Sequence, residues 1–144
     1  LKAYADTSFL VSLYFSDAHT DRASRLMARR TDALPFTPFH RHEFRNAIRL
    51  AVRRQQMGET ERREIFRSVE SDLKESILAH ESISWTGAFR EAERIGEALT
   101  EQTGIRSADL LHIGIALTLN AEEFLTFDEI QRKVAISAGF KCNP

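Results

Sequence analysis

Lys2-Ala-Tyr-Ala-Asp6-Thr-Ser-Phe-Leu10 is the stretch on which the fold turns. Lys2 to Ala5 can pair as a short strand, Asp6 stands where that strand should end, and Thr7-Ser8 lead into an apolar helical pattern. An open parallel sheet binds its ligands beyond the carboxyl ends of its strands. An acid at that point is either a helix cap, satisfying orphan amides and suiting the helix dipole, or part of a site. Alone, Asp6 reads as a cap. The rest of the chain has to decide.

Working outward, Phe9, Leu10, Leu13 and Tyr14 recur at helical spacing, and Ser16-Asp17 breaks that helix. A second helix starts near His19-Thr20 and runs to about Arg30. A brief strand at 34–37 precedes Pro38, which suits the first position of the next helix. That third helix, expected over 38–57, carries Phe44, Ala47, Ile48 and Ala51 on one face and Arg41, Arg45, Arg49 and Arg53 on another. At 100° per residue, Glu43 lies beside the apolar arc and away from most of the arginines. A fourth helix is expected to reach about Ala79, followed by a strand at 80–85 ending in Trp85, the sole tryptophan, whose default place is the core. Thr86 then caps a fifth helix, with Phe89, Ala92 and Ile95 inward and Gly104 closing it. The sixth helix, 108–119, is apolar on nearly every side and must be buried. A strand at 124–127, a helix at 129–137 and an edge strand near Gly139–Lys141 complete the alternation, which predicts a three-layer α/β fold on a parallel sheet.

Composition sets the bounds. The 144 residues, 42% hydrophobic and 28% charged, fit a single globular domain over 1–144. A net charge of −1 gives no global pull towards nucleic acid, so any basic surface must be local. Cys142 is the only cysteine, which excludes an internal disulfide and suits a reducing compartment. There is no signal-peptide pattern and no apolar run long enough to cross a bilayer, so a cytoplasmic domain is expected. The numbering opens on Leu1, so an initiating residue is expected to be missing or altered.

Three further acids resemble Asp6 in position. Asp128 follows a strand and begins Asp-Glu-Ile-Gln, a capping-box pattern with Gln131. Asp109 heads the buried sixth helix, and Glu43 lies near the start of the third. Each has a cap or a solvated acid as its ordinary reading. Together they differ, because strand carboxyl ends and helix amino ends share one edge of a parallel sheet. Two carboxylates meeting there repel by about 4 kcal/mol at an effective dielectric near 20. A divalent cation removes the repulsion, and an all-oxygen donor set suits Mg²⁺ or Mn²⁺. Such an ion orients water for in-line attack on phosphorus.

Asp6-Thr-Ser8, Glu43-Phe-Arg-Asn-Ala47, Ser107-Ala-Asp109-Leu-Leu-His112 and Leu125-Thr-Phe-Asp128 fall in the order and spacing of PIN-domain proteins, and the chain most resembles their VapC-type toxins. The resemblance spans essentially the whole chain, and it is loosest at His40-Arg41-His42, where many relatives carry apolar residues. It implies a parallel five-stranded sheet flanked by helices and a Mg²⁺- or Mn²⁺-dependent endoribonuclease, with the acidic quartet at Asp6, Glu43, Asp109 and Asp128. It further implies RNA as substrate, homodimers, and a VapB-type antitoxin whose tail blocks the acidic groove, with assembly into a larger hetero-oligomer. Two alternatives stay open: a PIN-like module that binds RNA without cutting it, and a solitary nuclease without an antitoxin.

Around the acids, Thr7 and Ser8 can hydrogen-bond a carboxylate or a metal water, or simply cap. Asn46 can orient Glu43; His112 is a site neighbour or a satisfied core histidine; Thr126 is a site neighbour or an ordinary strand residue. Arg45, Arg49 and Arg53 can contact RNA phosphates or an antitoxin, although Glu59, Glu61 and Glu64 nearby favour a solvated, salt-bridged face. Rival chemistries fall on single residues. His42-Glu43 lacks the second histidine of a zinc-protease helix, because Asn46 stands there. A haloacid-dehalogenase phosphatase wants an acid where Ser8 stands. A response-regulator receiver wants an Asp after a middle strand and a Lys after a late one, and both are missing.

Overall fold

The computed structural model describes residues 2–144, so Leu1 lies outside the described residues. The chain divides into two compact units: the stretch to Asp6 with Ser82–Pro144, and Thr7–Glu81.

The first unit is built on β1 (Ala3–Ala5), α5 (Trp85–Thr103), α6 (Ser107–Thr118), β4 (Glu123–Leu125), α7 (Glu129–Ser137) and β5 (Lys141–Asn143). Its three strands form a parallel sheet in the order β1-β4-β5, with Tyr4 opposite Phe124 and Phe124 opposite Cys142. β4 is the central strand and is buried along its length. Tyr4 stacks on Phe124 and Phe140 packs tilted against it, at ring separations of 5.7 and 5.6 Å. The apolar sequence of α6 is explained by its burial from His112 to Ala116. α5 approaches it closely at Gly114, where a Cβ would stand 2.3 Å from the Ala88 carbonyl oxygen. Gly104 ends α5 in the left-handed region at φ 71°, as its spacing predicted.

The second unit holds α1 (Thr7–Tyr14), α2 (Thr20–Ala28), β2 (Leu34–Phe36), α3 (Pro38–Arg53), α4 (Glu59–Lys74) and β3 (Leu78–His80). Phe9, Leu10, Phe44, Ile48, Ile65 and Val69 form its core between helices. Tyr14 meets Phe44 edge to face and donates a short hydrogen bond to Asp72, tying α1 to α4. The His40 region has a clear role: Thr37 Oγ1 accepts from the His40 amide at 3.2 Å, and His40 Nδ1 accepts from the Thr37 amide at 3.0 Å. This is a capping box with a buried histidine in place of the usual Glu or Gln. Histidine in this stretch sets the start of α3.

The structure corrects three expectations. The five strands do not form one sheet: β1-β4-β5 and β2-β3 are separate, although every pairing is parallel. A backbone reason is visible in β2. Leu34 donates to Ile77 and Phe36 accepts from Glu81, so both turn their groups towards β3. The residue between them, Pro35, turns the other way and has no N–H to offer. With only three residues, β2 loses the central donor of its free flank. Secondly, the strand expected at 80–85 lies earlier, at Leu78–His80, because α4 ends at Lys74. Thirdly, Trp85 and Phe89 are not core residues; they open α5 at 41% and 56% exposure and stack on each other.

Candidate metal and phosphodiester site

Asp6 follows β1, and its amide still donates to Leu125 of β4 at 3.1 Å, so the strand pairing fixes where its side chain leaves the sheet. Thr126 follows β4 on the same carboxyl edge. The Thr126 hydroxyl stands 3.1 Å from Asp6 Oδ2 and 2.7 Å from Gln131 Oε1, and it accepts from the Asp128 amide at 3.0 Å. One hydroxyl hydrogen is therefore shared between two acceptors. Asp6 is 4% exposed, and Thr126 and Gln131 are fully buried.

Asp128 is the N-cap of α7: its Oδ1 accepts from the Gln131 amide at 2.7 Å. Its other carboxylate oxygen makes no such bond among the described residues, so capping leaves it available. The Gln131 side chain does not return to the Asp128 amide as a full capping box requires. It turns inward, and its Nε2 donates to the Asp109 carbonyl at 3.1 Å. Gln131 is thus joined to all three aspartate segments: to Asp6 through Thr126, to Asp109 through its backbone, and to Asp128 through the cap. It is the site residue that sequence reasoning missed, since a glutamine at this position signals only a cap.

Asp109 lies in the first turn of α6, 26% exposed, with Arg106 Nε 3.5 Å from its Oδ2. Arg106 is 83% exposed, so this pair contributes little to stability. His112, one turn on, is buried, and its Nδ1 is 2.7 Å from the Tyr4 hydroxyl. It is a satisfied core histidine.

In the other unit, Thr7 is buried and donates to Glu43 Oε1 at 2.7 Å, so the residue after Asp6 holds the acid of α3. Ser8 is exposed; its carbonyl accepts from Ser12. Asn46 is exposed on α3, beside a groove with Arg45 and Arg49, whereas Arg53 does not line that groove.

The donor set offered by Asp6, Asp109 and Asp128 is all oxygen, the chemistry that hard divalent cations prefer. Among the described residues, no three His, Cys, Asp or Glu side chains converge into a ligand cage. Mg²⁺ does not need one: it keeps several waters and takes one or two carboxylates together with substrate phosphate oxygens. The residues present fit such an ion.

Strands and helices in this order define an α/β fold with parallel strand pairing. The chain belongs to the PIN domain family, whose model matches residues 3–137. No curated protein matches it in sequence. Solved structures that share its fold include VapC20 of Mycobacterium tuberculosis, a sarcin–ricin loop cleaving toxin, at 19% identity and a TM-score of 0.62, covering 96% of this chain and 95% of that one. FitAcB from Neisseria gonorrhoeae is 13% identical at a TM-score of 0.66, covering 99% and 96%. VapBC2 from Rickettsia felis, solved bound to a DNA fragment from its promoter, is 15% identical at 0.64, covering 98% and 96%. Identities this low establish shared fold alone. No helix among the described residues is long and apolar enough to cross a membrane.

Proposed function

We propose that this chain is a Mg²⁺- or Mn²⁺-dependent endoribonuclease, the toxin of a VapBC-type pair. The observation that carries the reading is the buried Thr126–Gln131 network, which joins the Asp6 carboxylate, the Asp109 backbone carbonyl and the Asp128 cap at the carboxyl edge of β1 and β4. A fold stabilised only by caps has no need to bury a hydroxyl shared between Asp6 and Gln131 behind the Asp128 cap. Glu43, held by Thr7, is the fourth carboxylate of the proposed quartet.

In this reading Asp6 and Asp109 would hold the cation, and Asp128 would contribute its uncapped oxygen. The bound ion supplies charge stabilisation of the phosphorane-like transition state and a water activated for in-line attack. The protein's own share is placement. Thr126 fixes the Asp6 carboxylate, Gln131 fixes the backbone at Asp109, and the cap at Asp128 aims its second oxygen outward. No side-chain nucleophile is required. A VapB-type antitoxin, a homodimeric or larger assembly and a cytoplasmic setting accompany the proposal, supported by the VapBC neighbour and by family membership.

The test is cleavage of a pooled RNA by purified protein with Mn²⁺ and with EDTA, wild type against Asp6→Asn and Asp109→Asn. Wild type should cut only with metal, and both variants should lose activity by orders of magnitude. Inert wild type leaves an RNA-binding module as the reading; equal cutting by the variants removes these acids from the site. For the antitoxin, co-expression with an adjacent small reading frame should yield a complex that suppresses cleavage, and a lack of complex favours a solitary nuclease.

A further inference from the structure

Nearby glutamates predict that the basic stripe of α3 is neutralised. Arg41 is, through Glu70 at 2.9 Å. Arg45 and Arg49 are not: among the described residues neither has an ion-pair partner. Instead both guanidinium groups lie over the ring of Phe66 on α4, at 4.1 and 5.3 Å from its centroid. Stacking holds the planar groups in place while leaving their N–H edges free. With Pro38, His42 and Asn46, the three arginines line a cavity of about 410 Å³. Burial first, and then the nearby charges of Arg41 and Arg49, lower the Arg45 pKa against the opposing pull of Glu70. Folding this unit therefore leaves a preorganised cationic groove, unlike the scattered charges elsewhere.

We propose that this groove binds the sugar–phosphate backbone of single-stranded RNA, with Arg45 and Arg49 as the phosphate-contacting side chains. The proposal rests on RNA being the substrate. It places substrate contacts on the arc of α3 turned away from Glu43, since the groove residues centre more than 100° around the helix from that acid. The guanidinium fork pairs with phosphate and carboxylate oxygens alike; an RNA strand presents phosphates at a regular spacing, and Lys and Arg contacts to them supply most sequence-independent affinity. The contact is to backbone, so it confers grip without sequence preference.

The test uses the intact chain in EDTA, where cleavage plays no part, with a short labelled single-stranded RNA of mixed sequence. Binding is read by fluorescence anisotropy from about 50 to 200 mM salt. Losing two single-strand phosphate contacts should lower the slope of log K against log salt by about 1.4 and weaken binding on the order of tenfold at low salt. Arg45→Gln with Arg49→Gln should show both effects. Arg45→Lys with Arg49→Lys should restore the slope but not the full affinity, because lysine keeps charge and loses the stacked fork. Arg90→Gln, an exposed arginine of the other unit, should leave both unchanged. An unchanged slope in the Gln pair, an equal loss in Arg90→Gln, or no RNA binding by wild type overturns the proposal. So does displacement of RNA by polyglutamate at equal charge, which makes the occupant an acidic peptide. Metal-dependent cleavage is measured separately, so the groove can fail while the nuclease reading stands.

Discussion

Replacing Thr126 by valine keeps the shape of the side chain and removes one oxygen from the centre of the site. That oxygen accepts from the Asp128 amide and shares its hydrogen between Gln131 Oε1 and Asp6 Oδ2. At most two bonds form at once, one accepted and one donated. A neutral buried hydrogen bond contributes about 1 kcal/mol net, and one to a charged group about 1.5–3 kcal/mol. The loss is therefore about 2–4 kcal/mol, offset by roughly 1 kcal/mol for burying a methyl group in place of the hydroxyl. A net cost of about 2 kcal/mol moves the urea midpoint down by roughly 1 M, for an m-value near 2 kcal/mol/M. Urea unfolding followed by circular dichroism reads it directly. Because Asp6 and the Asp128 amide both lose a partner, RNA cleavage should fall at least as far as stability does, with Thr126→Ser retaining most activity. A valine variant that unfolds at the wild-type midpoint refutes the claim that this hydroxyl holds the site together.

Two further substitutions probe the two units separately. Gly114→Ala pushes a methyl group against the Ala88 carbonyl and, at 3.0 Å, the Ala92 amide. Backbone cannot yield as a flexible side chain can, so α5 and α6 must separate; overpacking of about 1–3 kcal/mol should exceed the roughly 1 kcal/mol of helix propensity gained, and thermal unfolding should come several degrees lower. Tyr14→Phe tests linkage. Burial, followed by the Asp72 hydrogen bond and charge, raises the Tyr14 phenol pKa above its ordinary 10.0. Above about pH 10 the unfolded chain loses this proton and the folded chain keeps it, so stability is complete below that pH and falls as pH rises, by about 1.4 kcal/mol per unit. Chemical denaturation across that range should show the slope reduced by about that amount in the phenylalanine variant; identical slopes would show that Tyr14 does not titrate differently on folding.

The sequence showed where Asp6, Asp109 and Asp128 would stand, because strand ends and helix starts are marked by changes in hydrophobic period. What it hid has identifiable causes. Three helices, α3, α4 and α6, are followed by Gln55, Ser76 and Asn120 in the left-handed region. The next residue of each then donates back five positions: Gln56 to Ala51, Ile77 to Asp72, Ala121 to Ala116. With no glycine to mark these stops, periodicity alone carries α3 and α4 several residues too far, and β3 is displaced with them. The exposed Trp85–Phe89 pair defeats any rule that places aromatics inside. The β2-β3 pair forms a sheet of its own and carries Pro35, whose missing N–H is a detail that β-rich composition cannot signal. Gln131 shows the same limit in the site: spacing marks a cap, and only the fold reveals that the side chain turns inward to Asp109.

The central proposal is that this chain hydrolyses RNA with water as the attacking group, at a site where these acids would hold a cation. The most direct measurement is end-group analysis of the products from a Mn²⁺-dependent cleavage reaction. Water attack predicts products free of 2′,3′-cyclic phosphate, appearing with wild type and absent with Asp6→Asn. Cyclic phosphate ends, which arise when the RNA's own 2′-hydroxyl attacks, would contradict it.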